Sequence, residues 1–247
     1  EAVFNYHVKL TNERFTLTSD TLHYNTLTKI THIVGPSNIN SDGNRIYTER
    51  GYYDTAKDYA ELFDRSVVIN GKSTMTGDSM YYDKKNGKMH AYNNIVYNDK
   101  GNKNLLTGDY CEYDDTTGYA MATKNAVVRD YSSPDTLFMH ADTFKIFTYN
   151  IRTDSVYRLV HGYHKARAFR SDVQSVCDSL KYDSKNKKMT MYGNPIVWNN
   201  NQQLLGEEIQ VFMCDSTIDS VHVIRQALLA QQLDSACYNQ VAGREMY

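Results

Sequence analysis

This chain has no long apolar run, no excess of one charge and no catalytic signature, and each absence closes a class of function. No stretch approaches the roughly 18 apolar residues that a membrane helix needs. Net charge is −2 and the basic residues are dispersed, so nothing marks a nucleic-acid or anionic-membrane footprint. Nucleophile elbow, HExxH, P-loop and GxGxxG are all missing. The four cysteines, Cys111, Cys177, Cys214 and Cys237, stand too far apart for a CxxC metal or redox motif, and free buried thiols are expected rather than disulfides. No basic and apolar leader opens the chain at Glu1, the form expected of a mature exported protein or a trimmed one.

Proline is scarce as well, with three copies against 21 Tyr and 8 Phe, and Thr and Val are plentiful. That balance suits half-buried pleated strands far better than helices. The 247 residues can bury a sizeable core, and a single elongated all-β domain over 1–247 is expected.

What the chain does have is a recurring phrase: a small residue, an acid, apolar or aromatic residues two and four places later, then a polar turn. The clearest copies are Gly77-Asp78-Ser79-Met80-Tyr81-Tyr82-Asp83, Gly108-Asp109-Tyr110-Cys111-Glu112-Tyr113-Asp114 and Cys177-Asp178-Ser179-Leu180-Lys181-Tyr182-Asp183. Weaker copies start at Asp20, Glu49, Asp142 and Glu207, so the array runs from about residue 15 at a period near 30. Alternation within each copy places Leu22/Tyr24, Gly51/Tyr53, Met80/Tyr82, Cys111/Tyr113, Phe144/Ile146, Leu180/Tyr182 and Ile209/Val211 on one face. Turns such as Asp83-Lys84-Lys85-Asn86-Gly87, where Asn-Gly accepts positive φ, return the chain antiparallel.

A second strand then leads to a second signal: Arg65-Ser66-Val67-Val68, Asn94-Ile95-Val96, Asn125-Ala126-Val127-Val128 and Asn194-Pro195-Ile196-Val197. Helix competes over Val223–Gln232, where Ile224, Leu228 and Leu229 have helical spacing, yet the phase of the array predicts strand. The wider spacing between Asp130 and Tyr163 predicts an insertion in a connection. Gly243-Arg244-Glu245-Met246-Tyr247 reads as the opening of a further copy with Arg244 in the acidic place, as if the array were cut within a repeat.

The acids, being single and about 30 residues apart, lack the clustered ligands of a Ca²⁺ site and are expected to mark strand starts or a solvated rim. His161 and His164 offer two imidazoles, but their spacing points them opposite ways on a strand, and no metal or cofactor is implied. The remaining candidate is the apolar face: Leu22, Tyr24, Tyr53, Met80, Tyr82, Tyr113, Phe144, Ile146, Leu180, Tyr182, Ile209 and Val211. It is either the filling between two sheets or the lining of a groove that takes an apolar ligand.

The two signals together, Thr76-Gly77-Asp78 through Asp83 with Asn94-Ile95-Val96, and Thr107-Gly108-Asp109 through Asp114 with Asn125-Ala126-Val127, resemble the OstA-like repeats of the lipopolysaccharide-transport family. That family includes the periplasmic protein LptA and the N-terminal domain of LptD. The resemblance implies an antiparallel β-jellyroll of repeated strand pairs, V-shaped and open-ended, whose interior receives lipopolysaccharide acyl chains. It also implies a non-enzymatic role in the periplasm of a Gram-negative bacterium, and head-to-tail stacking on other OstA-like jellyrolls by strand addition. Gly51 and Cys111 depart from the lining pattern and are expected to widen the interior locally. The rival readings are a structural or adhesive β-repeat protein with a closed core, and a parallel β-helix acting on polysaccharide. Asn86-Gly87, at a hairpin turn, argues against the latter.

Overall fold

The computed structural model describes all residues except 1, 12, 14, 42, 102, 133, 152, 215 and 216. Twenty strands and no helix occupy the described residues, which form two compact units, 1–116 and 117–247. The first unit holds β1 (Ala2–Thr11), β2 (Phe15–Asn25), β3 (Ile30–Ser41), β4 (Asn44–Asp54), β5 (Tyr59–Asn70), β6 (Ser73–Asp83), β7 (Lys88–Asp99) and β8 (Asn104–Asp114). Each pairs antiparallel with the next.

The second unit begins with β9 (Tyr119–Asp130) and β10 (Leu137–Tyr149), followed by strands that come as broken halves: β11 (Tyr157–Tyr163) with β12 (Ala166–Phe169), β13 (Val173–Cys177) with β14 (Ser179–Asp183), β15 (Lys188–Tyr192) with β16 (Ile196–Asn199), and β17 (Gln202–Leu205) with β18 (Glu208–Cys214). It ends with β19 (Thr217–Gln232) and β20 (Tyr238–Met246). Both β11 and β12 pair with β10, and both β17 and β18 pair with β19, so each broken pair is one strand interrupted at its middle. Every pairing between described strands is antiparallel, which removes the parallel β-helix. The strand expected over Val223–Gln232 is present, and the expected insertion falls in the longer connections 131–136 and 150–156.

The turns follow from the Tyr-Asp that closes each phrase. Asp83 Oδ1 accepts from the Asn86 amide N–H at 3.1 Å, Asp54 Oδ1 from Ala56 and Lys57 at 3.0 Å each, and Asp183 Oδ1 from Lys185 at 2.9 Å and Asn186 at 3.2 Å. Hydrogen bonds from the Asn86 side chain and backbone hold the Asp83 carboxyl below the usual range. Only the last residue of each turn is left-handed, as at Gly87 (φ 64°), Gly118 (φ 66°) and Lys187 (φ 49°), so Asn86 does not share the positive φ expected of an Asn-Gly pair.

Within the unbroken strands the acids do not start strands, whereas Asp178 and Glu207 directly precede β14 and β18. Asp78 lies in the middle of β6, Glu49 in the middle of β4 and Asp142 inside β10, each where the pairing register slips. Opposite them the neighbouring strands carry two successive left-handed residues: Asp64-Arg65 (φ 58°, 58°), Asn93-Asn94 (56°, 49°), Lys124-Asn125 (58°, 59°), His164-Lys165 (60°, 51°) and Arg225-Gln226 (59°, 50°). Paired β-bulges therefore run across the strands and crease each unit, dividing every strand into two halves. Side chains from both halves meet inside. Met75 and Ile95, on one side of the crease, share a core cluster with Leu62, Met80 and Ala91 on the other, and the Phe15 ring packs edge-on against Tyr53 at 5.1 Å.

Small residues fill the crease because two backbones converge there. The pairs are Ser19/Ser37, Ser66/Gly77, Ala126/Ala141, Ala166/Cys177 and Ala227/Gly243, while Gly108 faces the larger Ile95. The buried hydroxyls satisfy one another, Ser37 donating to Ser19 and Ser66 to Thr48, both at 2.7 Å. Gly243 thus occupies the place that the repeat assigned to it. A left-handed conformation costs an ordinary residue about 1–2 kcal/mol and Asn less. Asn94→Val is accordingly expected to lose about 1–2 kcal/mol in urea denaturation, with Asn94→Gly losing distinctly less.

Candidate functional site

Cross-strand register turns the repeated apolar positions into two rows on the interior face. In the first unit the row nearer the crease is Leu22, Ile33, Gly51, Leu62, Met80, Ala91 and Cys111, each directly opposite the next. The row two residues farther from the crease is Tyr24, Thr31, Tyr53, Ala60, Tyr82, Met89 and Tyr113. In the second unit the near row is Ala122, Phe144, Gly162, Leu180, Met191, Ile209 and Val223. The far row there is Ala120, Ile146, Val160, Tyr182, Met189, Val211 and Val221.

Burial separates the rows. Leu22, Met80, Phe144, Leu180 and Ile209 are all buried, the last at 0% exposure. Tyr24, Tyr53, Tyr82, Ile146 and Tyr182 are half-buried, Tyr113 is 40% exposed, and Val211 alone among the predicted far-row residues is buried. In the first unit Met80, Tyr53 and Tyr82 join one core cluster, with Leu22 in a second that Tyr53 also borders. In the second, Phe144 and Leu180 close over Gly162, where an added Cβ would stand 3.0 and 3.2 Å from their side chains. The wall is sealed at the crease and accessible farther out at its tyrosines, whereas Thr31, Ala60 and Val211 of the far row are buried.

The far row also carries the polar atoms. The Tyr53 hydroxyl donates to Asp58 Oδ1 at 2.5 Å, and burial pushes the Tyr182 phenol up from its ordinary value, so it remains a neutral donor at neutral pH. Thr31, fully buried between Tyr24 and Tyr53, has an Oγ1 with no hydrogen-bond partner. Burial pushes the thiols of Cys111 to about 12 and Cys177 to about 11, leaving both unreactive in the crease region. Cys214 and Cys237 are exposed, against the expectation of burial, because they lie at a strand end and in a connection.

Gly51 does not widen the interior: an added Cβ would meet the Glu61 carbonyl oxygen at 2.4 Å, so the glycine is there to admit a close backbone. His161 is half-buried, with Nδ1 3.1 Å from the Tyr163 hydroxyl, whereas His164 is exposed in the crease, 3.8 Å from Asp178. They do not converge. Among the described residues no three His, Cys, Asp or Glu side chains are grouped to hold a metal ion.

About half of each row was missed in the sequence, the residues of the second strand of each repeat, among them Ile33, Leu62, Ala91, Met191 and Val223 of the near row. Their alternation is as strict, but small residues such as Ala60, Ala91 and Ala122 dilute it. Two substitutions test the packing. Gly51→Ala is expected to destabilise by about 1–3 kcal/mol through overpacking, and Thr31→Val to stabilise by about 1 kcal/mol by removing an orphaned hydroxyl, both read from urea midpoints.

The model of the family described as OstA-like protein matches residues 1–78. No curated protein matches the chain. Among solved structures the chain is similar to LptH from Pseudomonas aeruginosa, described as the LptA homologous periplasmic component of the conserved lipopolysaccharide transport device. Identity is 12%, 68% of this chain and 93% of that chain are covered, and the TM-score is 0.32. The family match thus covers the first third of the chain, where it agrees with the resemblance drawn from the repeats.

Proposed function

We propose that this chain is a non-enzymatic lipopolysaccharide carrier of the periplasm, which shields acyl chains against the far row of its interior wall. The gradient of burial supports this reading: Met80 and Leu180 are closed by packing, while Tyr82 and Tyr182, two residues on, keep accessible surface beside the apolar wall. Ten buried methylenes would contribute about 8 kcal/mol at roughly 0.8 kcal/mol each, enough for useful affinity without a charged site. The repeat keeps its phase from Asp109 in the first unit to Asp142 in the second, which supports one continuous array over 1–247.

Partners follow from the edges. Among the described residues β1 pairs with β2 alone and β20 with β19 alone, and an uncovered edge is a template for another strand. The proposed partners are other OstA-like jellyrolls, added head to tail, which would carry the chain toward the outer membrane. No helix among the described residues is long and apolar enough to cross a membrane.

The closed-core structural reading is favoured by the filled near row, and lipid uptake decides between the two. Purified protein is expected to crosslink to lipopolysaccharide, and Tyr82→Asp to reduce that crosslinking severalfold while thermal melting shows a folded chain. Undiminished crosslinking in folded Tyr82→Asp would transfer the assignment to the structural reading.

A further inference from the structure

The opposite face of the first unit is as ordered as its interior and stands apart from the proposed lipid wall. Six rings form a ladder across β3 to β8: His32, Tyr52, Phe63, Tyr81, Tyr92 and Tyr110. Their centroids are 4.6, 6.0, 6.3, 5.6 and 5.1 Å apart in sequence. Cross-strand ring pairs stabilise a sheet by about 0.2–1 kcal/mol each, which accounts for adjacent pairs. It does not account for faces left in solvent: Tyr52 is 41% and Tyr92 40% exposed. A contiguous aromatic patch on the solvated side of an antiparallel sheet marks an interaction surface more often than a lone exposed ring does.

The ladder is interrupted at one point. Ser79 lies between Phe63 and Tyr92 in the cross-strand row, and its small side chain leaves a depression of about 320 Å³ walled by Tyr59, Tyr81, His90 and Tyr92. That volume is at the lower end of small-ligand sites. Polar groups neighbour its walls. The Tyr110 hydroxyl lies 3.1 Å from His90 Nδ1 and donates to Glu112 at 3.3 Å, and Glu61 stands opposite Tyr81. Burial, followed by the neighbouring carboxylates Glu61 and Glu112, pushes the Tyr59 and Tyr110 phenols to about 12, so both stay protonated donors.

Charge selects the class of ligand. Arg50, over the Phe63 ring, is tied to Asp64 at 2.8 Å, and the carboxylates Glu61 and Glu112 stand among the rings, which disfavours a phosphate or an acidic chain. Glu61 and Glu112 among the rings disfavour a purely apolar chain, whose burial would desolvate them. What matches is a ligand with flat C–H faces and hydroxyl edges. From His32 to Tyr92 successive rings meet edge to face at 80–84°, and alternate rings stand about 9–10 Å apart at the usual strand spacing. An extended saccharide presents its pyranose faces with a comparable two-residue repeat.

We propose that this outer face is a binding platform for a neutral, extended oligosaccharide, which stacks along the ladder and seats one sugar in the depression at Ser79. The test is an NMR chemical-shift titration of the whole chain with cellohexaose. Saturable shifts are expected, confined to the outward residues of β4 to β8, with a dissociation constant in the range of about 0.1–1 mM. Tyr92→Ala and Tyr52→Ala, at exposed positions that leave folding intact, should each weaken binding about tenfold, and Tyr92→Phe should retain it. Tyr82→Asp, on the interior face, should leave cellohexaose binding unchanged, and Tyr92→Ala should leave lipopolysaccharide crosslinking unchanged, so this proposal and the lipid reading fail separately. Absence of saturable shifts up to about 10 mM, or unchanged affinity in both alanine variants, overturns the proposal.

Discussion

A strand can change direction without leaving its sheet only if the residues at the bend take a conformation that most side chains resist. Here that conformation is a pair of left-handed residues in most alternate strands, as at Asp64-Arg65 and Asn93-Asn94, with the single Gly35 (φ 104°) in β3. Side-chain contacts support the arrangement: Asn94 donates to Asp78 at 2.7 Å, and Arg225 and Gln226 bind Glu207 at 2.5 and 2.8 Å. These groups are exposed, and surface pairs of this kind contribute little stability. Left-handed strain of about 1 kcal/mol or more per ordinary residue must therefore be offset by the ladders and by the apolar surface that the crease lets both halves bury.

The interior follows from that constraint. Side chains one step from the crease are pressed together from both halves and become core, as Met80 and Ile209 show. Two residues farther out the same alternation leaves Tyr82 and Tyr182 half-open. A single repeated phrase thus yields a buried position and a half-open one two residues apart. Tyrosine suits the outer one, since it presents an apolar ring while its hydroxyl finds a partner, as Tyr53 does in Asp58.

Much of this was legible in the sequence. The phase of the repeats fixed strand against helix even at Val223–Gln232, and the alternation identified the interior face. The bend was not legible, because its residues do not announce it. Asn93-Asn94 tolerate positive φ, and Asp64 and His164 are of types that do, but Arg65, Lys165 and Arg225-Gln226 carry no such mark, so the acids opposite the bend read as strand starts. Gly51 misled in a similar way. Its meaning lies in a carbonyl of the next strand, and only the packed sheet reveals that approach. The ladder of rings on the outer face escaped because alternation was followed on the apolar side alone.

The central claim is that the interior is closed at the crease and receptive two residues beyond it. Its most direct test is a depth profile: a photoreactive phenylalanine analogue placed in turn at Met80, Tyr82, Leu180 and Tyr182, in variants with unchanged thermal melting, and illuminated with lipopolysaccharide. Capture at 82 and 182 with little at 80 and 180 is the predicted result. Equal capture at both depths, or capture at none, would contradict it.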